Sequence, residues 1–153
     1  MRRIPRLAHL AGFTLIEMLT TLAIVGIVST ITVSNMVESI SGYRLGRATT
    51  QMVWDLQALR VRAISYKQPI TVKFIKDGVY TVWTDSNGNN QEDAGEVQTK
   101  DIGLSYKGIK IISTNSPTFN TTGTINNPAS ITITKNGNSK TINMNTSGLI
   151  KIN

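Results

Sequence analysis

The stretch from Phe13 to Val33 is apolar, relieved only by Thr, Ser and Gly, and the single charge in its 21 positions (33 − 13 + 1) is Glu17. As a helix rising about 1.5 Å per residue it spans about 31 Å, enough to cross a bilayer core of about 30 Å. A carboxylate costs about 2.5–3.5 kcal/mol at the centre of such a helix, so Glu17 asks for a partner. After Val33 the sequence becomes polar but keeps a helical period. Met52, Val53, Leu56, Leu59 and Ala63 recur at three- and four-residue spacing and form one apolar stripe flanked by Arg60 and Arg62. Pro69 marks the stop. Phe13 to Tyr66 is therefore expected as one helix of about 80 Å. Gly26, Gly42 and Gly46 are its weak points, each costing about 1 kcal/mol against Ala.

From Ile70 the period becomes two. Ile70, Val72 and Phe74 share one face and Thr71 and Lys73 the other, a half-buried strand. Asp77-Gly78 predicts a two-residue type I′ hairpin turn, and Val79–Thr84 the returning strand. Val97–Lys100, Lys107–Ile112, Thr118–Ile125, Ser130–Lys135, Ser139–Met144 and Leu149–Ile152 are the remaining expected strands, with a second hairpin turn at Asn136-Gly137. The fold class is α+β, with a long N-terminal helix packed through its amphipathic half on an antiparallel β head.

Cysteine is absent and the one histidine, His9, precedes the apolar run. A chain beginning at Phe13 would hold neither, which removes Ser–His and Cys–His nucleophile pairs and the usual zinc sites. An enzyme is not expected. The formal charge of +7 owes three cations to Arg2, Arg3 and Arg6. Without residues 1–12 it is +4 (13 Lys+Arg less 9 Asp+Glu), which weakens a nucleic-acid reading from charge alone.

Those three arginines lie just ahead of the first hydrophobic segment, a bias that keeps this end cytoplasmic. A secretory signal places its small-residue cleavage site after the apolar core. Here the small residue, Gly12, comes before it, so a cut at Gly12 would leave the apolar segment as the mature N-terminus. The new ammonium of Phe13 would then lie four positions from Glu17. Gly12-Phe13-Thr14-Leu15-Ile16-Glu17-Met18-Leu19 resembles the class III leader junction of type IV pilins and type II secretion pseudopilins. The resemblance implies cleavage after Gly12 by a prepilin peptidase and N-methylation of Phe13. It also implies that Glu17 neutralises the N-terminus of a neighbouring subunit during assembly. The blander alternative is a plain single-pass anchor. Ala58–Ile64, Gln68–Val72, Phe119 with Gly123, the Ser130–Lys135 hairpin and Gly148-Leu149-Ile150 look like the GspH/FimT branch.

Two further patterns suggest binding. Against a twelve-residue calcium loop, Asp85, Asn87, Asn89, Gln91, Asp93 and Glu96 fall at positions 1, 3, 5, 7, 9 and 12. Asn90 stands where that loop needs Gly, and the flanks read as strands. The competing reading is a solvated hairpin loop whose side chains close its own turns. Ca²⁺ is the one cofactor suggested, and none is required. Some FimT-like minor pilins bind DNA through basic residues late in the head. The counterparts here are Lys135, Lys140 and Lys151, with no arginine beyond Arg62, whereas phosphate binding needs several converging cations. Trp54 and Trp83, with Phe74 and Tyr80, are expected in the core rather than as stacking platforms.

The expected organisation is thus a leader (1–12), a membrane and filament-core helix (13–33), its amphipathic continuation (34–67) and a β-rich head (68–153). The expected role is a minor pilin or pseudopilin held in the bacterial inner membrane with its head outside. Its partners would be the peptidase, other pilins and lipid. The alternative is a DNA-binding pilin for uptake.

Overall fold

The computed structural model describes residues 12–89 and 91–153, apart from the side chains of 31–38. The expectations for Arg2, Arg3, Arg6, His9 and Asn90 lie outside the described residues. Among the described residues a single helix, α1 (Leu15–Tyr66), is followed by nine strands. By compactness the chain divides at Glu38/Ser39.

Within Ser39–Asn153, β1 (Ile70–Lys76), β2 (Val79–Thr84), β3 (Val97–Asp101), β5 (Thr118–Phe119) and β6 (Ile125–Asn126) form a five-stranded sheet in the order β3-β2-β1-β5-β6. β4 (Lys110–Ser113), β7 (Ser130–Lys135), β8 (Asn138–Met144) and β9 (Ile150–Ile152) form a four-stranded sheet in the order β4-β7-β8-β9. Every ladder is antiparallel. The two expected hairpin turns are present, with φ of 49° and 89° at Asp77-Gly78 and 48° and 81° at Asn136-Gly137, the positive pair that a type I′ turn requires.

The helical stripe is the inner wall of the core. Leu45, Ala48, Met52, Leu56, Leu59 and Ala63 are buried together with Ile70, Val72, Tyr80 and Phe119 of one sheet and Ile131, Ile133 and Ile142 of the other. Polar ties hold the helix at three heights. The Asn136 Nδ2 donates to Ser41 Oγ (3.1 Å), the Tyr80 hydroxyl to Asp55 Oδ2 (2.6 Å) and the Arg60 Nε to the Gly123 carbonyl (2.8 Å). Gly148 (φ 89°) fits against the same guanidinium. A Cβ there would stand 2.2 Å from the Gly123 carbonyl oxygen and 2.7 Å from Arg60 Cζ.

Three expectations are corrected. Trp54 is 69% exposed rather than in the core. Two residues past Met52 it lies about 200° around the helix, on the face opposite the stripe. Thr118–Ile125 is two short strands, because Asn120 and Gly123 close a tight turn (Gly123 N to Asn120 O, 2.9 Å) that pairs Phe119 with Ile125. The strand expected from Lys107 starts at Lys110, since Gly108 takes a positive φ and Ile109 N donates to the Tyr106 carbonyl.

Candidate functional site

The N-terminal junction is built by local chemistry. Thr14 precedes the first helical residue and its Oγ1 accepts from the Glu17 backbone N–H at 3.3 Å, while Met18 N donates to the Thr14 carbonyl at 3.2 Å. Thr14 and Glu17 occupy the N-cap and N3 positions of a capping box, and an acidic residue in the first turn also complements the helix dipole. The spacing Thr14-x-x-Glu17 was present in the sequence as a helix-start signal. Gly12, Phe13 and Glu17 are all exposed.

The helix after this cap presents apolar side chains on every side. Leu15, Ile16, Met18, Leu19, Leu22, Ile24, Val25, Ile27 and Val28 all face outward, as does Phe13 just ahead of the cap. The hydroxyls from Thr20 to Thr30 are satisfied within the helix. Thr20 and Thr21 donate to the Glu17 carbonyl (3.0 and 2.9 Å), Ser29 to Val25 and Thr30 to Ile27 (2.7 Å each). Such back-bonding removes the donors that would otherwise oppose an apolar surrounding. Leu15 to Thr30 is sixteen residues (30 − 15 + 1), about 24 Å at 1.5 Å per residue. Among the described residues no helix is long and apolar enough to cross a membrane. The last positions of the 13–33 run fall where side chains are not described.

The Asp85–Glu96 loop closes on itself. Glu96 Oε1 accepts from the backbone N–H groups of Ser86 (2.8 Å) and Asn87 (3.2 Å), and Asp85 Oδ1 from Gly88 (2.8 Å). Asn87 Oδ1 accepts from Asn89 N–H and Asn89 Oδ1 from Gln91 N–H, two successive Asx turns. Both asparagine amides donate to Asp93 Oδ2, at 2.8 and 2.7 Å. Those bonds, Asn87 first and then Asn89, hold the Asp93 carboxyl below its ordinary pKa. Glu92 pairs with Lys73. Several of the side-chain oxygens that were candidates for a cation accept bonds within the loop, while Glu96 Oε2 is buried without a hydrogen-bond partner. Among the described residues no three His, Cys, Asp or Glu side chains gather as a metal site.

The three lysines considered for DNA are placed differently from one another. Lys135 is buried and its ammonium donates to the Lys107 carbonyl. The cause is the strand period, which puts Lys135 on the face of Ile131 and Ile133. Lys140 and Lys151 are exposed. Beside Asp55, Tyr80 is fully buried. That burial, then the hydrogen bond and charge of Asp55, push its phenol well above the ordinary range. Gln51 Nε2 (3.2 Å) and Lys100 Nζ (3.7 Å) complete the surroundings of Asp55 Oδ1.

Comparison with known proteins agrees with this geometry at both ends of the chain. The family model described as type II transport protein GspH matches residues 48–148, and that of the prokaryotic N-terminal methylation motif matches residues 9–33. Two crystal forms of the type IV minor pilin FimU of Pseudomonas aeruginosa have a similar fold, each at 18% identity. One has a TM-score of 0.56 and is covered over 71% of this chain and 87% of its own. The other has 0.53, with 71% and 92% covered. No curated protein matches. A methylation-type junction leading into a helix that packs on antiparallel sheets defines a subunit of the minor pilin and pseudopilin class. Within that class the chain belongs to the GspH family, whose members are structural subunits.

Proposed function

We propose that this subunit is cut between Gly12 and Phe13 by a prepilin peptidase and methylated at Phe13. It then leaves the inner membrane for a type II secretion pseudopilus or type IV pilus, packing through residues 13–33. Its basic leader faces the cytoplasm and its head the outside. Glu17 sets the register by meeting the N-terminal ammonium of a neighbour, and the chain catalyses no reaction.

The observation that carries this reading is the first part of α1, from Leu15 to Thr30, apolar on all sides, with its hydroxyls bonded internally. An exposed apolar surface of this kind requires lipid or other apolar helices around it. Gly12 ahead of it and Glu17 in its first turn supply the small residue and the carboxylate that the processing and assembly steps use.

Intact mass and N-terminal sequencing of the membrane-extracted protein test the proposal. The expected chain starts at N-methyl-Phe13. A chain retaining Met1 or Arg2 would overturn processing and leave an anchored β-rich domain.

A further inference from the structure

Within Ser39–Asn153 one face of α1 carries Tyr43, Arg47, Thr50 and Trp54. The last three lie four, seven and eleven positions past the first, so all four share one ridge. They form a wall of an open groove of about 500 Å³, with Tyr106 and Lys140 across it. Gly46 is its floor. The nearest atom to a Cβ placed there is Lys140 Nζ, at 3.9 Å, so the ammonium reaches the space that a side chain would fill. The glycine that weakens the helix is thus the one that opens the groove.

The groove is positive and its central cation is held in place. Its lining comes from residues 39–54 and 102–153, which contain Arg44, Arg47 and five lysines but no Asp or Glu. Asp55, the next residue along the helix, is taken by Tyr80, Gln51 and Lys100. The Arg47 guanidinium sits 5.6 Å from the Tyr43 ring centroid and donates to the Tyr43 hydroxyl at 3.3 Å. Most of its five N–H donors stay available to a ligand. Tyr43 and Trp54 are largely exposed and stand about 16 Å apart along the helix axis.

The lining separates the classes of anion that this groove fits. A nucleic-acid backbone needs several converging cations, and only Arg47 and Lys140 line it. An extended peptide adds to a sheet edge, whereas β8, which carries Lys140, lies inside its sheet between β7 and β9. A helical peptide needs an apolar trench, and here the cations, Thr50 and Gln51 interrupt the aromatic rings. An acidic sugar uses every part of the lining. Its carboxylate matches the planar fork of a guanidinium, its apolar ring faces match exposed aromatic rings, and its hydroxyls match Thr50 and Gln51. We infer that the groove binds a short uronic acid glycan, with its carboxylates on Arg47 and Lys140 and its sugar rings on Tyr43 and Trp54. This goes beyond the assembly role and involves none of the residues that processing uses.

Calorimetric titration of the full-length protein in non-ionic detergent with trimers of galacturonate, guluronate and mannuronate is the test. At least one trimer is expected to bind once per chain, more weakly as salt rises. Its methyl ester keeps the rings without the charge, and triglutamate keeps the charge without the rings. Each should bind at least about tenfold more weakly than the trimer. Arg47→Gln should weaken trimer binding about tenfold and Trp54→Ala about fivefold. Gly46→Leu fills the floor with every charge intact and should abolish binding. Circular dichroism should be unchanged in all three variants. Failure of all three trimers to bind would overturn the inference, as would trimer binding unaltered by Arg47→Gln or Gly46→Leu. Ester binding as tight as the acid would remove the role of charge. Triglutamate binding as tight as the trimer would replace the glycan with an acidic polypeptide.

Discussion

Leu19 and Leu56 are the same residue in the same helix, yet one is more than half exposed and the other fully buried. Around Leu19 apolar residues occupy every side of the helix. Around Leu56 they occupy one stripe, and the opposite side carries Trp54, Gln57 and Val61, all exposed. Backbone hydrogen bonding is continuous through both regions, so the helix itself does not distinguish them. What differs is how much apolar surface each region leaves after its own chain has folded. The later region is completed by two sheets of the same molecule. The earlier one stays exposed, and it carries one carboxylate, Glu17, near its start.

Glu17→Val breaks the comparison at its first region and should have the largest consequence. Recovered filaments, or secretion, should drop to background while the circular dichroism of the detergent-extracted protein stays unchanged. Normal assembly in that strain would remove the role assigned to Glu17. Gly148→Ala attacks the second region, because a Cβ has no room between Arg60 and the Gly123 carbonyl and φ is positive. A loss of about 3–5 kcal/mol is expected, from strain and overpacking together, measured by denaturant unfolding in detergent. The matched pair sharpens the contrast further. Leu56→Ala should cost about 2–5 kcal/mol in the same assay, whereas Leu19→Ala should leave it unchanged, since no cavity forms around an exposed side chain.

The next effect depends on pH. Tyr80 has a raised pKa in the folded chain, so the unfolded chain releases this proton first, near the ordinary phenol value of about 10. Stability from this group is therefore complete below pH of about 10 and is lost as pH rises beyond it. Tyr80→Phe should flatten that alkaline decline and cost about 1–2 kcal/mol at neutral pH through the lost bond to Asp55. A decline of equal steepness in the variant would show that other groups cause it. Trp54→Ala, on the outward side, should stay within about 0.5 kcal/mol of the parent.

Much of this architecture was legible from periodicity. The helix stop before Pro69, both type I′ turns and the alternation Ile131, Ile133 followed from local rules that the tertiary structure did not override. Errors arose where a residue type was weighed without its phase. Trp54 looked like core because it is large and aromatic, yet counting two positions from Met52 already turned it outward. Lys135 looked like a surface cation, yet the same alternation that buries Ile133 buries it. Gly108 and Gly123 interrupt apparently continuous alternation, and in both places a positive φ replaces expected strand with turn. The clasp of Arg60 on two separate loops and the pairing of Tyr80 with Asp55 join residues distant in sequence, and no short-range pattern announces them. At the N-terminal site the residues were legible as a motif, while the hydrogen bonds that build it came from the structure.

The Thr14 cap bears on how this chain could be handled by a protease. The hydroxyl that caps the helix, the N–H it accepts from and the first helical carbonyl all belong to Thr14, Glu17 and Met18. Every one of them lies downstream of the Gly12–Phe13 bond. Scission there would remove none of the bonds that start the helix, so the product would emerge with its end already wound. The only new demand would be a home for one positive charge, two residues ahead of the first helical position.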